Sequence, residues 1–321
     1  LNTLRNVESA AGIRPALIYV NFVSPETGES TRCEIETQPS LTRDPNTGNL
    51  TLQGAECGQA DLQLLLVTSS GKLIRKRIPG ATRAKVLAVA KRFRYEASDP
   101  SKVRTRTYLA TAKQLYRWVI APLEADLKTE GIDTLTFILD SGLRSMPLAA
   151  LHDGQNFLVE RYRIGLMPSL SLANTEYADL RKMQVLAAGA TQFVDQNPLP
   201  AVSVELAAIN DRWRGQSILD KAFTFDNLVK ERKDTPFGII HLATHGQFLP
   251  GKLSNSYIQL ADKRLGLNQL RQLGWANPPV ELVVLSACEM AVGDDNAELG
   301  FAGFAVKAGA KSALASLWSV S

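Results

Sequence analysis

Two apolar runs in the chain each end in a side chain that can do covalent chemistry. One is PFGIIHLATHGQF from Pro236, which contains His245, and the other is PVELVVLSACEM from Pro279, which contains Cys288. A thiol with an ordinary pKa of about 8.5 is mostly protonated at neutral pH, and a neighbouring imidazole that takes the proton makes it a nucleophile. Because the chain has only three His and three Cys, this pairing predicts a nucleophile, Cys288, and its base, His245.

The glycine after the histidine suits the same chemistry. Gly246 has no Cβ, so a substrate can approach its backbone closely. We expect the backbone N–H groups of Gly246 and Cys288 to donate hydrogen bonds to an oxyanion, the charge that develops when a thiolate attacks a carbonyl group.

Two other arrangements of the same side chains are open at this point. His241 lies four residues before His245 on the same predicted strand and faces the same side, so it is a second candidate for the base. The glycine after His245 favours His245, and we expect His241 to be a buried, hydrogen-bonded residue and His152 to lie in a turn. A metal site at His241, His245 and Cys288 is disfavoured, because four residues of strand separate the imidazoles by about 13 Å. We expect no metal and no cofactor, since P-loop, GxGxxG and GxSxG motifs are missing from the sequence.

The elements that must position these residues alternate between strand and helix from Thr134 onward, which is typical of an α/β fold with a mainly parallel sheet. Ligands of such sheets gather at the carboxyl ends of the strands, where His245 and Cys288 are predicted. The predicted strands cover residues 134–140, 183–190, 216–220, 236–245, 279–288 and 312–320, with a hairpin around 261–263. The predicted helices cover residues 202–213, 225–233, 267–273 and 299–310.

The first 80 residues have a different pattern. Strands are predicted at 16–23 and 62–78, the second folded into a hairpin at Ser70-Gly71, with an exposed loop or insertion at 24–59 between them. Apolar residues at helical spacing predict helices at 83–97 and 106–131, the second interrupted at Pro122 and ending at Gly131. We therefore expect a β-rich N-terminal portion at 1–80 and a second domain at 81–321.

Composition adds a setting for this chemistry. The 321 residues are 45% hydrophobic and 21% charged, without an apolar run long enough for a membrane span or a signal peptide, so we expect a cytoplasmic protein. The odd number of cysteines and their spacing argue for reduced thiols. The chain starts at Leu1 and stops in an apolar run, so we expect a piece of a longer protein.

Residues 72–106 hold twelve basic residues against Glu96 and Asp99; a solvated face explains this stripe better than a nucleic-acid partner, because no aromatic stacking pattern accompanies it.

The order of elements resembles the caspase-like cysteine proteases: a strand ending in His-Gly, a hairpin, a short helix, and a strand ending in Ala-Cys. The segments HLATHG and LSACE, followed by GFAGFAVKAGAKSALASLW, resemble the CHAT branch of that clan more closely. The segments LYRWVIAPLEADL and LDSGLRSMPLAALHDGQNFLVERY extend the resemblance over most of residues 80–321. It implies a caspase-like three-layer α/β sandwich, with helices on both sides of a mainly parallel central sheet, that is incomplete at its C-terminal end.

The resemblance also implies a function, a cysteine endopeptidase that hydrolyses peptide bonds through the Cys/His dyad and a thioester acyl-enzyme. CHAT domains occur mostly in bacteria, often fused behind tetratricopeptide repeats, so the implied partners are a peptide or protein substrate and a fused regulatory domain. Some CHAT domains have altered catalytic residues, so the alternative is a scaffold or signalling module that binds protein partners with an idle dyad. Retention of both His245 and Cys288 favours the enzyme.

The resemblance bears on specificity as well. In caspases the residue two before the cysteine lines the primary pocket, and here that residue is the neutral Ser286. Glu289-Met290 replace the Arg-Gly that follows the caspase cysteine, so the caspase specificity for aspartate does not carry over. Acidic side chains near the site favour a basic residue at the cleavage position, as in metacaspase-like relatives. The candidate pocket residues are Asp140, Ser286, Glu289, Asp294, Asp295 and Glu298.

Overall fold

The computed structural model describes residues 2–24, 40–43, 50–53, 58–102, 104–167, 176–247, 256–287 and 300–317. The helices of these residues are α1 (Asn2–Ala11), α2 (Arg83–Ser98), α3 (Tyr108–Val119), α4 (Glu124–Thr129), α5 (Leu158–Arg161), α6 (Ala201–Asn210), α7 (Phe225–Asp234) and α8 (Gly300–Lys307). The strands are β1 (Pro15–Val23), β2 (Ser40–Arg43), β3 (Leu50–Gln53), β4 (Asp61–Thr68), β5 (Leu73–Thr82), β6 (Thr134–Leu139), β7 (Arg163–Leu166), β8 (Val185–Gly189), β9 (Gly215–Leu219), β10 (Ile239–Ala243), β11 (Gly246–Gln247), β12 (Tyr257–Gln259), β13 (Arg264–Gly266), β14 (Val280–Ser286) and β15 (Ala310–Ala315).

The chain divides into two compact units, Leu1–Tyr177 and Ala178–Ser321. The first unit contains a five-stranded sheet in the order β5-β4-β1-β6-β7, in which β5, β4 and β1 run antiparallel and β1, β6 and β7 run parallel. Its core includes Ile18 of β1, Leu64 of β4, Phe93 of α2 and Leu115 of α3. The predicted hairpin is confirmed, with β4 and β5 joined at a turn in which Gly71 has a φ of 95°.

This sheet changes the predicted division of the chain. We expected a boundary between residues 80 and 81, and we placed the strand at 134–140 with the later strands. In the structure β6 pairs with β1, so strands from both sides of residue 80 share one sheet and one core, and the boundary between the compact units lies at 177/178. The short strands β2 and β3, within the segment expected to be a loop or insertion, pair with each other.

The second unit contains a five-stranded sheet in the order β15-β14-β10-β8-β9, and all of its neighbouring strands run parallel. Alternation along the strands gives the sheet two apolar faces. Ile239 and Ala243 of β10 pack against Val202 and Leu206 of α6 on one face. Ile240 and Leu242 face the other side, where the core is completed from α7, α8 and the 3-10 helix Leu267–Leu273.

Helices therefore cover both faces of a parallel sheet, and the predicted α/β sandwich of the caspase-like type is confirmed. The predicted hairpin around 261–263 is also present as β12 and β13. Within the described ranges, none of the helices combines the length and apolar character needed to cross a membrane.

Candidate active site

His245 lies just beyond the carboxyl end of β10, as the sequence predicts. The backbone between strand and histidine is fixed by Thr244, which is 1% exposed. Its N–H donates to Ser286 O (3.2 Å) on β14, and its hydroxyl donates to Gln259 O (2.5 Å) on β12. Gln259 N–H in turn donates to His245 O at 2.8 Å. The two residues that follow β10 are therefore hydrogen-bonded to both β12 and β14.

The imidazole of His245 is held by the loop between β8 and α6. Its Nε2 lies 2.7 Å from the backbone oxygen of Asn197, and Phe193 contacts the ring edge-on, with 4.8 Å between ring centroids. A carbonyl oxygen can only accept a hydrogen bond, so Nε2 must carry the proton. In the neutral ring this leaves Nδ1 as the nitrogen that can accept a proton.

The loop that supplies Asn197 and Phe193 is closed at its base. Leu199 N–H donates to Thr191 O (2.8 Å), while the N–H and hydroxyl of Thr191 both donate to Asp220 Oδ1 at 2.7 Å. Asp220 has a φ of 52°, a left-handed conformation that aspartate tolerates better than most residues. Asp220 thus anchors the loop that orients His245.

Gly246 is the first residue of β11, whose short antiparallel ladder with β12 sets the direction of its N–H. Opposite residues in an antiparallel ladder alternate between hydrogen-bonded and non-hydrogen-bonded pairs. Gln259 N–H donates to His245 O, so these two residues form a hydrogen-bonded pair. The next pair, Gly246 and Ile258, is therefore a non-hydrogen-bonded pair. In such a pair the N–H groups point away from the partner strand. The Gly246 N–H is therefore directed away from β12.

Ser286, the last residue of β14, lies beside the end of β10. The parallel register aligns Ser286 with Ala243, so the last residues of β14 and β10 lie side by side at the edge of the sheet. Ala287 follows, and Cys288 lies outside the described residues. The same is true of Glu289, Asp294, Asp295 and Glu298, four of the candidate pocket residues.

His241 is hydrogen-bonded within the protein, as the sequence predicts. Its Nε2 lies 2.8 Å from Glu205 Oε1 of α6. This hydrogen bond lowers the pKa of the Glu205 carboxyl; burial acts in the opposite direction, and a hydrogen bond from the Ser286 hydroxyl adds to the lowering. Glu205 therefore links α6 to β10 near the carboxyl edge of the sheet and stays ionised at neutral pH.

Close packing of α6 on the sheet brings Glu205 to this position. A Cβ added to Gly189, the last residue of β8, would overlap Ala243 O and lie 2.7 Å from Val202 Cγ1. Only glycine fits between the helix and the strand ends at this distance.

The remaining predicted residues lie in the first unit. Asp140 directly follows β6, as expected, and its Oδ1 lies 3.7 Å from Nε of the mostly buried Arg83. His152 accepts a hydrogen bond from Gly154 N (2.9 Å) and contacts Phe157 edge-on, which agrees with the predicted turn.

This part of the chain matches a known family. The model of the CHAT domain family covers residues 109–321, about two thirds of the chain. The chain belongs to the CHAT domain family. A comparison with curated proteins finds no match. The CHAT match includes the whole second unit, and with it His245, Gly246, Ser286 and Cys288.

Three residues of this CHAT site were not predicted. Asn197 acts through its backbone carbonyl, which no residue type signals, and Phe193 is one aromatic residue in a loop. Glu205 did carry a signal, because it is the only charged residue of α6.

Proposed function

We propose that this CHAT domain is a cysteine endopeptidase, with Cys288 as nucleophile and His245 as general base and acid. Its substrate is a peptide or protein, and a fused or partner domain regulates it. The observation that carries the proposal is the hydrogen bond from His245 Nε2 to Asn197 O. It selects the tautomer in which Nδ1 can accept the proton of a thiol.

The register of the sheet supports the pairing of the two residues. His245 is the second residue after Ala243, Cys288 is the second after Ser286, and Ala243 and Ser286 are aligned on neighbouring parallel strands. Strands in this relation lie about 4.8 Å apart, which suits proton transfer between side chains at equal offsets from their ends.

The first half of the reaction forms an acyl-enzyme. Nδ1 of His245 takes the thiol proton, and Sγ of Cys288 forms a bond to the substrate carbonyl carbon as the C=O electron pair moves to oxygen. The N–H groups of Gly246 and Cys288 stabilise this oxyanion. When the oxyanion collapses, the C–N bond breaks and the imidazolium protonates the leaving amine, which leaves a thioester.

Water completes the cycle. His245 takes a proton from the water that attacks the thioester, the C–S bond breaks, and the proton returns to the sulfur, so that a carboxylic acid and the thiol result. The Asn197 carbonyl assists both halves, because its negative end lies against the ring that becomes positively charged.

Cleavage of a peptide library tests this proposal. The full chain with its regulatory partner is incubated with the library, and new N-termini are identified by mass spectrometry. Wild type should cleave, whereas Cys288→Ala and His245→Gln should lose about a hundredfold or more of the rate. Cys33→Ala is the matched control and should cleave like wild type. If wild type and Cys288→Ala are equally inactive under every activating condition, the domain is a binding scaffold.

A further inference from the structure

Glu205 has no role in the proposed steps, although its carboxylate lies beside the strand that leads to Cys288. Its Oε1 is 2.8 Å from His241 Nε2, and the nearby Ser286 hydroxyl contributes to its lowered pKa. The Glu205 side chain is 33% exposed and that of His241 is 13% exposed. The carboxylate is thus held in place by His241 while part of it faces solvent.

The Glu205 carboxylate keeps its negative charge beside these neighbours. An imidazole N–H and a hydroxyl can both donate hydrogen bonds while uncharged. In the described part of the chain, His241 is the one ionisable group that contacts the carboxylate. Glu205 therefore presents a partly exposed anion that an incoming cation can approach.

The anion lies within reach of a substrate. Ser286 precedes Cys288 by two residues, so their Cα atoms lie no more than about 7 Å apart. The side chain of lysine or arginine has a similar length. In the acyl-enzyme, the residue whose carbonyl carbon is bonded to Cys288 stays at the site through both halves of the reaction, so its side chain is the one that Glu205 can select.

We propose that Glu205 selects peptides with lysine or arginine on the acyl side of the cleaved bond. This rests on the peptidase function proposed above and assigns its substrate class. An ammonium or guanidinium group pairs with the carboxylate, an aliphatic side chain leaves it without a counter-charge, and an aspartate side chain is repelled by it.

Labelling of Cys288 by substrate-like probes tests the assignment. The probes are peptidyl acyloxymethyl ketones with Arg, Leu or Asp next to the reactive ketone. Sγ forms a bond to the methylene carbon while the C–O bond to the departing carboxylate breaks, so no turnover is needed. Labelling rates of the full chain are measured by mass spectrometry of the Cys288 peptide.

Wild type should react fastest with the Arg probe, by at least about tenfold over Leu, and slowest with Asp. Glu205→Gln should lose this preference for Arg, by about tenfold or more, while its rate with the Leu probe stays within about threefold of wild type. Glu205→Asp should restore part of the preference because it restores the charge. Asp211→Asn, which removes one negative charge from an exposed residue just beyond α6, is the control and should react like wild type.

Three results would overturn the proposal, and they have different meanings. Equal rates of wild type with Arg and Leu probes would exclude selection of a basic residue. An equal fall for all probes in Glu205→Gln would show that Glu205 only supports His241 and Ser286. No labelling of Cys288 by any probe would contradict the peptidase function itself, and the specificity with it.

Discussion

The two histidines at the carboxyl end of β10 differ in the partners of their ring nitrogens. His245 donates to a backbone carbonyl, which fixes the proton on Nε2 and leaves Nδ1 to act as a base. His241 contacts a carboxylate on α6. Sequence spacing put both histidines on one side of the strand, and only their hydrogen-bond partners distinguish His245, the proposed base, from His241.

Glu205 should stabilise the folded protein in a pH-dependent way. Its pKa is lower in the folded protein than the ordinary value, so this stabilisation is complete above the unfolded-state pKa and is lost as the pH falls through the folded-state pKa. Glu205→Gln should lower the free energy of unfolding by about 1 kcal/mol at neutral pH and by less near pH 3. Urea denaturation at both pH values measures this. A loss of the same size at the two pH values would contradict the role of ionised Glu205.

At the scale of elements, the loop between β8 and α6 positions the ring of His245, and its anchor is on another segment. Asp220 follows β9 and accepts two hydrogen bonds from Thr191 at the start of the loop. The other end of the loop carries Asn197, whose carbonyl accepts the proton of His245. Disturbance of Asp220 should therefore reach His245 through the loop.

Substitution of Asp220 tests this anchor. Asp220→Ala loses both hydrogen bonds and keeps a Cβ in a left-handed conformation, so it should lower the free energy of unfolding by about 2 kcal/mol. Asp220→Asn keeps an acceptor oxygen and tolerates that conformation, so it should lose less than half as much. Urea denaturation gives the stabilities. An alanine variant as stable as wild type would show that the loop does not depend on this residue.

Periodicity predicted most elements but could not assign strands to sheets. Alternating apolar residues signal that a strand is buried, yet they do not say which strand lies beside it, so the strand ending before Asp140 was placed in the wrong sheet. Strand β7 (Arg163–Leu166) was missed because it has four residues, none of them fully buried. The contact of Glu205 with His241 joins residues 36 positions apart, and no local pattern reports such a pair.

The predicted positions of His245, Gly246 and Ser286 depend on strand ends, which sequence does report. An apolar run that stops at a polar residue marks the edge of a parallel sheet. The partners that complete the site come from a loop, where sequence carries little geometric information.

At the scale of the whole molecule, the chain contains two units with separate cores and a basic stripe that lies in the first unit. Lys72 and Lys76 lie within 4 Å of Asp126, and Arg77 pairs with Asp61 at 2.8 Å. These ion pairs offset part of the positive charge of the stripe, and the solvated face stays a prediction.

The two cores should respond separately to core substitutions. Phe137 is fully buried in the first unit and Phe237 in the second, and removal of a buried phenylalanine costs about 3 to 5 kcal/mol. Phe137→Ala should speed hydrogen exchange in β1, β4 and β6, whereas Phe237→Ala should speed it in β8, β10 and β14. Hydrogen exchange with mass spectrometry resolves these peptides. Loss of protection across both sheets in either variant would argue against two units.

The reactivity of Cys288 tests the central claim most directly, because the chain supplies its own reference thiols. The alkylation rates of Cys33, Cys57 and Cys288 by iodoacetamide are measured by mass spectrometry at about pH 6.5, where an ordinary thiol is about 1% ionised. Cys288 should react at least about tenfold faster than the other two in wild type, and His245→Gln should bring it down to their rate. A Cys288 that reacts like Cys33 and Cys57, unchanged by His245→Gln, would contradict the His245–Cys288 dyad.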